Sequence, residues 1–115
     1  IRTGLQERKI KIFGQGEASR DHVHVSDVCK AVVHGVTSRA NGTFNIASGS
    51  AISFHEVARI VRDAIGDDVS IESVGAESEP THRHCDAADM RSWFPEFDPT
   101  TIESGIGAVV DQYRR

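Results

Sequence analysis

The chain has 115 residues, 38% of them hydrophobic and 26% charged, with a formal net charge of −4. That is enough for one small domain and not two, and the acidic balance argues against bulk electrostatic binding of nucleic acid or anionic membrane. No apolar run is long enough for a transmembrane helix. Two cysteines, Cys29 and Cys85, lack any zinc or redox spacing, which points to a reducing, cytoplasmic compartment. Cys29 reads as a buried free thiol in an apolar helical stretch. The chain opens on Ile1 in mid-pattern and reads as a piece of something longer.

Taken in order, Ile10-Lys11-Ile12-Phe13 alternates apolar and polar up to Gly14, the pattern of a short strand stopped by a turn. Gly14 to Ser19 is a loop, and Arg20 to Val25 alternates again as a second strand. A helix follows with Ser26 or Asp27 as its N-cap. Asn41-Gly42 marks a turn, and Thr43 to Ala47 reads as a strand. Ser53 and Glu56 form a capping box ahead of the apolar face Phe54, Val57, Ala58, Val61 and Ile65, and Gly66 ends that helix. Val69 to Val74 reads as a strand, Gly75 to Pro80 as a polar connection, and His82 to Cys85 as a short edge strand. Thr100 and Glu103 form a second capping box for a final helix carrying Ile102, Ile106, Val109, Val110 and Tyr113 on one side. Arg114 and Arg115 suit the negative end of its dipole. Helices and strands alternate, so the fold class is α/β.

Several constellations bear on chemistry. Gly14-x-Gly16 lacks the third small residue and the following helix of a dinucleotide fingerprint, so it reads as a turn. His22/His24 and His82/His84 are His-x-His pairs on strands, without the converging cysteines that would argue for zinc. No serine sits in a strained Gly-x-Ser-x-Gly elbow. Arg20 stands apart, at a loop-to-strand junction. Its guanidinium fork suits either an ion pair with Asp21 or Asp27 or bidentate binding of a phosphate.

The run Ile12-Phe13-Gly14-Gln15-Gly16-Glu17-Ala18-Ser19-Arg20-Asp21-His22-Val23-His24-Val25-Ser26-Asp27-Val28 resembles the Arg-Asp block of the NAD-dependent epimerase/dehydratase family, extended short-chain dehydrogenases acting on nucleotide sugars. Gly42 to Gly49, the helix from Ser53 to Gly66, Asp86-Ala87-Ala88-Asp89 and Trp93-Phe94-Pro95 follow in the family's order. The resemblance implies the C-terminal, substrate-binding part of an extended Rossmann-type enzyme, with mixed short strands and three main helices. It implies that the backbone of Lys11 and Phe13 frames the nucleotide base, that Arg20 grips the diphosphate, and that Glu79 meets the ribose. The family's second diphosphate arginine falls on Ala76, and Arg83 from the neighbouring segment is the expected substitute.

The same resemblance marks what the chain lacks. It has no Gly-x-x-Gly-x-x-Gly and no Tyr-x-x-x-Lys, and its one tyrosine is Tyr113. NAD would therefore be bound by an N-terminal cofactor domain outside residues 1–115, with the proton-transferring groups. The expectation is one substrate-binding portion over 1–115, not catalytic alone, in which 26–47 packs on that cofactor domain. Separated from it, the chain is expected to self-associate or exchange segments. The contrasting expectation is a stand-alone, non-catalytic module binding a nucleotide sugar or a protein.

Overall fold

The computed structural model describes residues 1–75 and 79–115. The element order is α1 (Arg2–Glu7), β1 (Lys9–Phe13), β2 (Ser19–Asp21), α2 (Val25–Thr37), β3 (Ala51–Ser53), α3 (Phe54–Ile65), β4 (Ser70–Val74), β5 (His82–Arg83), α4 (Ala88–Trp93) and α5 (Ile102–Arg114). β1 and β4 form a parallel pair, with Lys11 opposite Glu72 and Phe13 opposite Val74. A second sheet has the order β3-β2-β5, antiparallel between β2 and β3 and parallel between β2 and β5. The fold is α/β with three long helices, as expected.

The main core lies where α3 and α5 face each other. Ile60, Val61, Ile65, Val69, Ile106 and Val110 are buried there, with Leu5, Ile10 and Ile52 packed around them. α3 is cut as its sequence requires. The Ser53 hydroxyl accepts from the Glu56 N–H at 3.1 Å, and Gly66 closes the end with φ 144°. The second half of the capping box does not form, because the Glu56 carboxylate is held by the Arg59 guanidinium one turn on. Arg114 donates to the Ala64 and Ile65 carbonyls, so it closes the C-terminus of α3 rather than only its own helix. A smaller core gathers Ala47, Ala87 and Met90, with Ile46, Trp93 and Phe97 against them.

Several expected boundaries move. The segment from Arg20 to Val25 is a strand only to Asp21, because the His24 side chain caps α2, which begins at Val25 and not after Ser26 or Asp27. Thr43 to Ala47 pairs with no strand among the described residues. Its apolar side chains pack on residues 87–97 instead, and a ladder needs a partner that is not there. α5 is capped by Thr101, one residue later than expected, since Thr100 is engaged elsewhere. Cys29 is exposed, not buried, and both cysteines are free. It lies on the outer face of α2 with Val25, Val32 and Val36, which are 70%, 54% and 74% exposed.

Asp27 ties α2 to the start of α5. It is fully buried, accepting from the Thr100 N–H at 2.6 Å, the Thr100 hydroxyl at 3.0 Å and the Lys30 ammonium at 2.9 Å. Burial opposes its ionisation, and the Lys30 and Thr100 donors together outweigh that and hold its carboxyl below the usual range. The body as a whole is a slab of 47 × 38 × 15 Å with a radius of gyration of 16.4 Å. A compact chain of this length would have about 13 Å.

Candidate functional site

The site is built on β1, β2, β5 and the start of α3. Gly14 and Gly16 take φ values of 57° and 73°, which only glycine adopts without strain. The turn they make folds back on α3: the Gly16 carbonyl accepts from the His55 N–H and the Ala18 carbonyl from the Phe54 N–H, both at 3.0 Å. A Cβ on Gly16 would stand 2.6 Å from the His55 nitrogen. The turn is thus closed against the helix, and its carbonyls occupy the Phe54 and His55 N–H groups at the start of α3.

Lys11 and Phe13 line one groove of about 460 Å³, whose wall includes Gly16, Ala18, Phe54 and Val57. That volume suits a small-molecule site. Phe13 is 78% exposed, an unusual position for a phenyl ring. The Arg8 carbonyl and the Gly14 N–H both bond to the β4 side. By the alternation of a strand, the N–H and C=O of Lys11 therefore point to the opposite edge, which no described strand occupies. The Lys11 ammonium makes no ion pair among the described residues, because Glu72, its partner in register, is held by Lys9 at 2.8 Å. The Lys9 hydrogen bond keeps the Glu72 carboxyl below its ordinary range.

Arg20 lies beyond Phe54, its guanidinium carbon 5.7 Å from the ring centroid. Neither expected carboxylate reaches it. Asp21 faces the other way along the strand and accepts from the Ser48 N–H, the Ser48 hydroxyl and the Gly49 N–H, while Asp27 is taken by Thr100 and Lys30. Arg20 donates instead to neutral oxygens: Nη1 to the Ser19 and Thr81 carbonyls, each at 2.7 Å, and Nη2 to the Thr81 hydroxyl at 2.8 Å. Arg83 is its partner in register on β5. Two arginines thus stand side by side on adjacent strands, and neither makes an ion pair among the described residues. Like charges so placed repel unless an anion joins them.

Glu79 is exposed in the segment before β5 and does not reach Arg20. Ala76, the position at which a second phosphate arginine was sought, lies outside the described residues. The structure thus brings Lys11, Phe13 and Arg20 around Phe54 and Arg83 beside Arg20, while Glu79, two residues before Thr81, makes no hydrogen bond to Arg20. Sequence reading missed Phe54 and Thr81 as site residues; the first looked like an ordinary apolar helix position, and nothing local marks the second. Among the described residues no three His, Cys, Asp or Glu side chains converge to hold a metal ion. Among the described residues no helix is long and apolar enough to cross a membrane.

Residues 1–47 match the model of the NAD dependent epimerase/dehydratase family. The chain is 33% identical to a putative UDP-glucose 4-epimerase of Methanocaldococcus jannaschii, over 93% of its own length and 35% of that protein's. It shares its fold with the dTDP-glucose 4,6-dehydratase of Bacillus anthracis, solved with NAD, at a TM-score of 0.81 and 25% identity, covering 98% of this chain and 37% of the enzyme. MoeE5, solved with UDP-glucuronic acid and NAD, is similar at a TM-score of 0.83 and 26% identity, with coverages of 99% and 39%. The chain therefore resembles NAD-dependent epimerases and dehydratases in sequence and in fold. It spans between 26% and 35% of the length of the curated relatives it matches.

Proposed function

We propose that the chain is the nucleotide-sugar-binding portion of an NAD-dependent nucleotide-sugar epimerase or dehydratase, with the cofactor and the catalytic groups held outside residues 1–115. Arg20 and Arg83 take the diphosphate, Lys11 and Phe13 frame the base along the free edge of β1, and Glu79 meets the ribose. The observation that carries this reading is the pair of adjacent arginines without a carboxylate partner among the described residues, set beside an apolar groove with open backbone groups. A fixed, always-charged fork with spare donors is what a diphosphate in a partly dry cleft requires.

The same proposal assigns 26–47 to an interface with the cofactor-binding domain. The thin slab and the exposed Val25, Val32, Val33 and Val36 of α2 support it, since an apolar face of this kind is ordinarily covered.

Titration calorimetry with a uridine, a thymidine and a guanosine diphosphate sugar tests the reading. At least one should bind, Arg20→Ala should weaken it by more than tenfold, and Arg83→Ala by several-fold. Failure of all three to bind, or affinities unmoved by both substitutions, would refute it. Tight binding by the chain with no gain from an added cofactor domain would favour a stand-alone module.

A further inference from the structure

We propose that Thr81 is a positioning residue that fixes which edge of the Arg20 guanidinium faces a bound diphosphate. The inference rests on the reading of Arg20 as a diphosphate ligand. A guanidinium has five N–H groups in one plane. In Arg20 the two on Nη1 go to the carbonyls of Ser19 and Thr81, and one on Nη2 goes to the Thr81 hydroxyl. Thr81 therefore spans the Nη1/Nη2 end of the fork with both its oxygens. Among the described residues, the donors left over are Nε–H and the second Nη2–H. These two lie on one side edge of the plane, parallel to each other and spaced to meet two oxygens of one phosphate.

The rest of the surroundings keeps that edge in place. The Phe54 ring under the guanidinium opposes tilting out of plane. The Thr81 carbonyl also accepts from the Ser19 N–H at 3.2 Å, so the oxygen that holds Nη1 is itself part of the β2–β5 ladder. The oxygens that hold Arg20 among the described residues are all neutral, so they orient the cation without cancelling the charge needed by the ligand. A carboxylate in the place of Thr81 would orient it equally well and neutralise it. The hydroxyl is the one contact of the three that a side-chain substitution can remove.

Two measurements on the full chain test this. The first is NMR of the arginine side chains at low temperature, without ligand. The Arg20 Nη protons should give separate signals in the wild type because hydrogen bonding slows rotation. They should merge in Thr81→Val and separate again in Thr81→Ser. Merged signals in the wild type, or separate ones in Thr81→Val, would overturn the proposal.

The second is calorimetric titration with inorganic pyrophosphate. Thr81→Val should bind about tenfold more weakly, with Thr81→Ser within twofold of wild type and the melting temperature of both unchanged. If Arg20→Ala loses binding and Thr81→Val keeps wild-type affinity, the role of Thr81 is refuted while the diphosphate reading stands. If wild type and Arg20→Ala behave alike, the diphosphate reading itself fails, and with it the function assigned to Thr81.

Discussion

Replacing Asp27 tests how a thin body holds a long helix. Its carboxylate is fully buried and accepts three hydrogen bonds, two from Thr100 and one from Lys30. Removing a buried carboxylate strands the Thr100 N–H and hydroxyl, at about 1–3 kcal/mol for each unsatisfied group. The Lys30 side chain is more than half exposed, so its share is below about 1 kcal/mol. Asp27→Ala should therefore cost about 3–4 kcal/mol by urea unfolding followed by circular dichroism. Asp27→Asn keeps one acceptor oxygen and should cost about half of that.

The pH dependence supplies a second check. The folded carboxyl titrates below its ordinary range, so its stabilisation is present above the unfolded value of about 3.9 and lost as pH falls through the lower folded value. The gap between wild type and Asp27→Asn should be full at pH 7 and close progressively below about pH 4. Equal stabilities at pH 7, or a gap that does not narrow in acid, would refute the role given to this carboxylate.

Three other outcomes follow from the geometry. Gly16→Ala should destabilise the chain by at least about 2 kcal/mol, because the new Cβ meets the His55 nitrogen at a backbone angle that L residues avoid; a midpoint within error of wild type would show that the turn is not closed against α3. The isolated chain should self-associate at high concentration by light scattering, and Val32→Glu should reduce this while leaving the melting temperature within about 2 °C. A monomeric wild type counts against an unpartnered α2 face. Pyrophosphate at saturating concentration should slow amide exchange at Ser19 and Arg83 more than in α3, since an anion between the two arginines relieves their repulsion. Uniform protection across the chain would place the anion elsewhere.

What could be read in the sequence was set by local chemistry. β1, α3, β4, β5 and α5 are legible because a two-residue alternation or a Ser or Thr cap ahead of a helical stripe is complete within a few residues. α1 and α4 are six-residue helices whose formation depends on packing: Gly4 fits under Ile65 and Ile10, and Met90 fills the smaller core. The pattern at Thr43 to Ala47 is that of a strand, but a strand exists only where another chain segment completes the ladder. Arg20 was recognisable as an unusual residue, and its partners were not. Strand alternation turns the adjacent Asp21 to the opposite face, and the oxygens that do hold Arg20 include those of Thr81, 61 residues away.

The two halves of the candidate site share one support. α3 presents unpaired N–H groups at its start, as every helix does. Here Ser53 takes one through its side chain, while the carbonyls of Gly16 and Ala18 take those of His55 and Phe54. Those bonds fix the turn that ends β1, and with it the spacing from the Lys11 and Phe13 groove to Arg20 on β2. Phe54, the first residue of α3, then serves both sides, walling the groove and lying under the Arg20 guanidinium. The helix is in turn held by the core it shares with α5, whose start is bound to α2 through Asp27. A change at Asp27 can therefore reach the site by two routes, along residues 22–24 from α2 to β2 and through α5 and α3. Loss of the Asp27 bonds should lower stability well before it alters the distance between Arg20 and the groove, because the turn carbonyls engage α3 directly.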